Sequence, residues 1–197
     1  MESPVSMDPK TLTRQYLDEA HAIETGLVTN LAAHIAMTTD PDYRALLERH
    51  LEETREQVRN IDRRRNVVGR ARRNPLTAGL GLARDIAGQA LVATKGPLDV
   101  LRTADQQERM LKNARDECAT EALEIATYDA LETVAKAAGD NPTAKLAADH
   151  RAQEERMLAD LRAVIARLAV ETFESRTGQD AKPQVKAAAT RKLSSVS

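Results

Sequence analysis

The stretch ECATEALEIATYDALETVAKAA, residues 117–138, decides the fold of this chain. Residues three and four apart share one face of a helix, so a helix here places Glu121, Glu124 and Tyr128 on one side. Two carboxylates are thereby drawn onto a face that is otherwise apolar. An ionised carboxylate inside a bundle is costly unless it is paired or binds a metal ion, so this stretch predicts a site as well as a helix.

The same pattern occurs a hundred residues earlier in the chain. AIETGLVTNL, residues 22–31, parallels ALEIATYDAL, residues 122–131, and aligns Glu24 with Glu124. The segment that follows each copy carries a histidine after a proline turn, His50 in the first copy and His150 in the second. The sequence therefore contains one helical hairpin twice.

Proline turns and glycine set the predicted helix boundaries. Asp8-Pro9 and Asp40-Pro41 suit helix starts, because Asp accepts hydrogen bonds from first-turn amides and Pro needs no donor there. Gly139 suits a helix end. The predicted helices cover residues 9–37, 42–66, 97–138 and 142–173. The predicted domain organisation is a flexible N-terminus (1–8), a helical bundle (9–173) with a linker and crossing segment (67–96), and a flexible tail (174–197).

The composition supports an all-α bundle. The apolar residues are mainly Ala, Leu, Val and Ile, with one Phe, three Tyr and no Trp. The formal net charge of −1 excludes an overall basic nucleic-acid binder, so any polyanion would need a local patch. The single cysteine excludes an intrachain disulfide. With no secretory signal pattern and no long uncharged apolar window, we expect a cytoplasmic protein without a transmembrane segment.

Each of the four helices brings a carboxylate toward the predicted core, and two add an imidazole. Dinuclear carboxylate sites in helix bundles use these residue types, with one Glu from each of two helices and a Glu and a His from each of the others. The candidate metal ligands are Glu24, His50, Glu53, Glu121, Glu124, His150 and Glu154. The alternative is that each Glu lies at a helix edge and forms salt bridges with nearby arginines.

Neighbouring residues separate the inward candidates from the surface ones. Glu52 has charged residues three and four positions away on both sides, so Glu53 is the better inward candidate on its helix. We expect Tyr128 to be an ordinary half-buried tyrosine, with hydrogen bonding to the acidic cluster as the alternative. His21 and His34 are expected at solvated helix edges.

Four motifs in this order resemble the YciE/YciF-like branch of the ferritin-like superfamily: AHAIETGL, ERHLEETREQ, ATEALEIATYDAL and the pair Glu154-Glu155. The resemblance spans about residues 15–165. It implies a ferritin-like four-helix bundle, a link to stress responses and a dimetal site, without a settled reaction. Together with the inward Glu and His pattern, it favours a stress protein that holds iron or manganese and oxidises Fe(II) or consumes peroxide. Whether the chain is an enzyme stays open.

An arginine cluster supports a second hypothesis from another functional class. It comprises Arg63, Arg64, Arg65, Arg70, Arg72 and Arg73. Three interpretations of this cluster are possible: it is a solvated linker, it contacts nucleic acid or another polyanion, or it contacts anionic lipid. The alternative function is therefore a metal-free helical scaffold that contacts a polyanion through this linker. In either case we expect a homo-oligomer, a dimer.

Overall fold

A computed structural model describes residues 7–69 and 106–194, with side chains as far as residue 191. The described residues form five helices: α1 (Pro9–Met37), α2 (Pro41–Val68), α3 (Gln106–Ala137), α4 (Asn141–Thr177) and α5 (Pro183–Ser194). Helices α1 and α2 form one hairpin and α3 and α4 form another, with α1 against α3 and α2 against α4. The predicted all-α four-helix bundle is confirmed. The predicted crossing segment lies outside the described residues from residue 70 onward.

Aspartates cap three of the bundle helices. The carboxylates of Asp8, Asp40 and Asp140 accept hydrogen bonds from backbone N–H groups in the first turns of α1, α2 and α4 at 3.0, 2.7 and 3.1 Å. These bonds satisfy amides that have no partner within the helix. After α3 the chain turns at Gly139, whose φ of 72° is a left-handed conformation that favours glycine. The turn signals in the sequence thus place the starts of α1, α2 and α4 and the end of α3 within one residue of the predicted positions, and the predicted helix start at residue 97 lies outside the described residues.

A layer of buried polar residues divides the core into two apolar clusters. One cluster contains Leu31, Leu47 and Leu161, and the other contains Leu17 and Leu131. The buried glutamates of α1, α3 and α4, and Thr54 and Gln57 of α2, lie between residues of these two clusters. Burial of a leucine side chain contributes about 1.5–3 kcal/mol, so the apolar clusters stabilise the fold on both sides of the layer.

Two arginines link the hairpins by reaching the N-terminal caps of the facing helices. Arg167 of α4 donates to both carboxylate oxygens of Asp40 at 2.5 and 2.8 Å. These bonds hold the pKa of Asp40 below its ordinary value. The reciprocal contact joins Arg64 of α2 to Asp140, and the Arg64 Nε donates to Thr143 Oγ1 at 2.6 Å. The repeat therefore places one clamp at each end of the α2–α4 contact.

We expect Arg167→Gln to lower the free energy of unfolding by about 2 kcal/mol, because charge-assisted bonds to a half-buried carboxylate are lost. Arg55→Gln is the matched control, since within residues 7–69 and 106–194 Arg55 forms its one ion pair with the exposed Glu52 at 3.4 Å; its effect should stay within about 0.5 kcal/mol. Urea unfolding followed by circular dichroism measures both values. Equal effects would show that the clamp adds no stability beyond a surface ion pair.

The segment 174–197, predicted as a flexible tail, contains helix α5 instead. Ala181 and Ala189 are buried where this segment packs on α4. Glu174 holds the segment by accepting from the backbone N–H of Ala181 at 2.9 Å and from Lys186 Nζ at 2.5 Å. Small alanines favour a helix and allow close packing, which explains why a segment with few large apolar residues docks on the bundle.

Candidate metal centre

Five carboxylates and one imidazole lie in the polar layer, and each residue is at most 1% exposed. The set comprises Glu24 of α1, His50 of α2, Glu117, Glu121 and Glu124 of α3, and Glu154 of α4. The three glutamates of α3 are four and three residues apart, a spacing that keeps them on one face of the helix. All four bundle helices therefore contribute to one acidic centre.

Four of these residues converge closely enough to share a metal ion. His50, Glu121, Glu124 and Glu154 each offer one nitrogen or oxygen atom, and these atoms all lie within 4.8 Å of one another. His50 Nε2 is 2.9 Å from Glu121 Oε1. The angle of this contact is not that of a hydrogen bond, since both atoms remain without a hydrogen-bond partner. These four residues could hold a metal ion.

The centre contains an unusual number of buried polar atoms without hydrogen-bond partners. Among the described residues, both ring nitrogens of His50 and both carboxylate oxygens of Glu121 and Glu124 lack a partner. One oxygen of Glu24 and one of Glu117 also lack one. Buried polar groups are paired in the large majority of cases, because an unpaired one costs about 1–3 kcal/mol. A metal ion could occupy the lone pairs that these atoms leave unused.

Burial strongly disfavours the charged forms of the carboxylates. It raises the pKa of Glu24 to about 7 and that of Glu154 to about 10, and neighbouring carboxylates contribute to both. Burial and the adjacent glutamates also raise the pKa of Glu124 well above its ordinary value. Burial lowers the pKa of His50, but Glu121 beside it outweighs this effect and the net shift is upward. The metal-free centre therefore retains protons at neutral pH.

The metal-free protein should lose stability as the pH rises from about 7 to about 9. In this range the folded chain keeps a proton on Glu154, whose pKa burial raises to about 10, that the unfolded chain, with an ordinary glutamate pKa of 4.5, has already released. Stability falls with pH wherever the folded state binds more protons. Thermal unfolding in the presence of a chelator measures this, and Glu154→Gln should show a shallower decline. A thermal midpoint that does not change with pH would contradict the expectation.

Tyr128 connects two helices behind the centre. Tyr128 is 1% exposed, whereas a half-buried position was expected. The Tyr128 hydroxyl donates a hydrogen bond to Glu24 Oε1. His150 Nδ1 lies 3.0 Å from the same hydroxyl, so this nitrogen carries the proton and donates to Tyr128. Burial lowers the pKa of His150 to about 4. The structure thus places His150 outside the converging group, where it orients Glu24 through Tyr128.

Gln57, not Glu53, reaches the centre from α2. Its amide nitrogen donates to Glu154, and to Gln153 Oε1 at 3.0 Å. The buried row of α2 passes through His50, Thr54 and Gln57, and Glu53 lies half-buried at its margin, in a surface pocket between α2 and α4. The structure therefore does not bring Glu53 into the group. The helical spacing of Gln57 from His50 makes Gln57 a candidate for the inward face of α2, alongside Glu53.

The sequence pattern did not identify two further residues, Glu117 of the polar layer and His34, which contacts it. His34 Nδ1 contacts Glu117 Oε1, so His34 is not simply solvated. Glu117 lies four residues before Glu121, and this spacing is the signal that places it on the inward face of α3. His21, also expected at a solvated edge, lies 3.1 Å from Asp62.

Three arginines of the predicted cluster are engaged with acidic side chains. Arg63 and Arg65 contact Glu56 and Asp18 at 3.0 and 2.7 Å, and Arg64 forms the clamp on α4. Arg70, Arg72 and Arg73 lie outside the described residues. No helix in the described parts of the chain has the length and apolar character needed to cross a membrane.

The fold and the buried centre can now be compared with known proteins. Residues 10–174 match the family described as "Domain of unknown function (DUF892)". This chain belongs to the DUF892 family. The match covers all four bundle helices of this DUF892 protein except the first residue of α1 and the last three residues of α4. A comparison with curated proteins found no match.

Solved structures show the same fold. A protein of Xanthomonas campestris pv. campestris is 22% identical with a TM-score of 0.65, and the alignment covers 85% of this chain and 98% of that one. YcfI of Rhodopseudomonas palustris is 20% identical with a TM-score of 0.63, covering 82% and 98%. The Escherichia coli stress protein YciF is 19% identical with a TM-score of 0.64, covering 83% and 98%. The resemblance to YciF-like proteins expected from the motifs is confirmed by the family match and by the shared fold.

Proposed function

We propose that this DUF892 protein is a ferritin-like stress protein whose bundle holds two iron or manganese ions. The unpaired buried oxygens and nitrogens of the polar layer carry the proposal. Ionised carboxylates in this layer would repel one another, and divalent cations would both neutralise them and occupy their lone pairs. The description of YciF as a stress protein supports the cellular role.

The donor set fits the proposed metals. Carboxylate oxygen suits manganese and iron, and imidazole nitrogen suits iron. His50, Glu121, Glu124 and Glu154 would hold the ions, with Glu24 binding through its unpaired Oε2. His150 and Tyr128 would fix the orientation of Glu24, since partners behind a ligand set its direction.

An iron or manganese pair would supply redox chemistry for Fe(II) oxidation or peroxide consumption. The side chains of the polar layer would bind the ions, and the apolar clusters on both sides exclude bulk water from this layer. Gln57 donates to Glu154 and favours its ionised form, the form needed to bind a cation. Water exclusion and stabilisation of an ionised carboxylate are properties expected of a metal site. Whether the protein is an enzyme depends on the reaction that its metal-bound form performs.

Metal content tests the proposal directly. The full chain would be loaded with Fe(II) without oxygen, or with Mn(II), and the bound metal measured by mass spectrometry after dialysis. We expect about two ions per chain for the wild type and almost none for Glu24→Gln combined with Glu124→Gln. Glu155→Gln is the matched control, because the Glu155 side chain is 57% exposed. Equally low metal content in all three proteins would refute the proposal.

We further propose that the protein is a cytoplasmic homodimer. The exposed apolar side chains of Leu123, Phe173 and Val185 support an interface between copies. Sedimentation at several concentrations measures the assembly. The polyanion alternative draws less support, because Arg63, Arg64 and Arg65 already bind carboxylates of the same chain.

A further inference from the structure

We propose that His34 and Glu117 form the entry site through which divalent cations reach the metal centre. This inference rests on the proposed function and adds the route of loading. The His34 side chain is 19% exposed, whereas the Glu117 side chain in contact with it is only 2% exposed. The pair therefore joins the surface of the bundle to its interior. It presents an imidazole and a carboxylate, both ligands for Fe(II) and Mn(II).

Unpaired buried atoms mark this pair as a cation site. Glu117 Oε2 has no hydrogen-bond partner, although its residue is 1% exposed. The hydroxyl of Tyr43, a fully buried residue, also lacks a hydrogen-bond partner, and after burial the charge of Glu117 contributes most to raising its pKa. Glu117 thus offers an unsatisfied oxygen beside the His34 imidazole. Few protein ligands make a weak site, which suits transfer rather than storage.

Helix α3 connects the pair to the centre. Glu117 precedes Glu121 by one turn on the same face, and Glu121 belongs to the converging group. Glu117 also contributes to the raised pKa values of His50 and Glu124, so its charge acts on the centre. A cation released by Glu117 would meet Glu121 next, without leaving a carboxylate-lined path.

The pocket between α2 and α4 is a poorer entrance for cations. Its acidic residues Glu53 and Asp160 are matched by Arg49 and Arg156 in the same lining. Arg49 lies 3.6 Å from Asp160. Matched charges produce little net attraction for a cation, whereas an acidic path concentrates cations at its mouth and raises their association rate about 10- to 1,000-fold.

Uptake kinetics of Co(II), followed by its visible absorption in a stopped-flow instrument, test the entry site in the full chain. We expect His34→Gln and Glu117→Gln to slow uptake about tenfold, toward the rate of an unfocused path. The final Co(II) content of His34→Gln should equal that of the wild type. The wild-type rate should saturate with Co(II) concentration, because the entry site fills before transfer, and the variant rates should rise linearly.

His21→Gln is the matched control. His21 lies on the same helix as His34, is similarly exposed and pairs with a carboxylate, Asp62, away from the centre. Its uptake should match the wild type. Wild-type rates in both entry variants, slow uptake in the control as well, or a lower final content in His34→Gln would each overturn the inference. Absence of Co(II) binding by the wild type would instead refute the proposed function itself. Circular dichroism checks that each variant is folded. If His34→Gln does not fold, the uptake rate of the isosteric variant Glu117→Gln tests the inference.

Discussion

Mn(II) should raise the thermal midpoint of this protein by about 10 °C, and the double variant Glu121→Gln with Glu124→Gln should lose that rise. A ligand at a thousand times its dissociation constant stabilises the folded state by about 4 kcal/mol. For a chain of this size each kcal/mol shifts the midpoint by about 2–4 °C. The effect is large because the unfolded chain has no assembled site, so the full binding free energy adds to folding.

The two glutamates are chosen because neither has a hydrogen bond that its amide analogue would break. All four of their carboxylate oxygens lack a hydrogen-bond partner in the folded chain, and Glu121 Oε1 makes an ion-pair contact of 2.9 Å with His50 Nε2. Glutamine keeps the shape of each side chain and removes the negative charge needed to bind a cation. Glu52→Gln serves as the control, since the Glu52 side chain is 65% exposed. A full rise in the double variant, or no rise in the wild type, would contradict the metal centre.

The helix boundaries could be predicted because their signals are local. An aspartate followed by proline satisfies the first-turn amides regardless of what packs nearby. Gly139 ends α3 for an equally local reason, its positive φ. The C-terminal helix α5 has no comparable local signal. Its stability depends on packing against α4, a tertiary contact that the sequence pattern of residues 174–197 does not indicate.

Most of the buried acidic residues could also be predicted, because a carboxylate within an apolar stripe has no local explanation. Glu24, Glu124 and Glu154 lie in the polar layer as the duplicated pattern indicates. The choice between Glu53 and Gln57 could not be made this way, since both lie near the same helix face and only the packing of α2 on α4 selects one.

Contacts between helices decided the remaining roles. Tyr128 and His150 lie on different helices, and their link to Glu24 needs a third. The pairing of His34 with Glu117 likewise depends on how α1 crosses α3. Periodicity assigns a residue to a face of its own helix, whereas hydrogen-bond partners on other helices depend on register and rotation between helices.

Glu124→Gln should stabilise the metal-free protein at about pH 8, because the folded chain no longer has to take up a proton at this site. Glu124 is 1% exposed, and burial followed by Glu24, Glu121 and Glu154 raises its pKa. The unfolded chain, with an ordinary pKa of 4.5, is ionised there at neutral pH. A carboxyl group that gains a proton on folding lowers stability above its unfolded pKa, and the loss grows with pH.

The same substitution should have the opposite effect when metal is present. With saturating Mn(II) the wild type should become more stable than Glu124→Gln, because the ion binds the ionised carboxylate that the variant lacks. Urea unfolding of both proteins, with chelator and with Mn(II), measures this reversal, and the exposed Glu155→Gln should show neither effect. If Glu124→Gln were less stable than the wild type under both conditions, Glu124 would be a structural partner of the bundle. A reversal instead means that the polar layer lowers the stability of the empty bundle and is retained because it binds a cation.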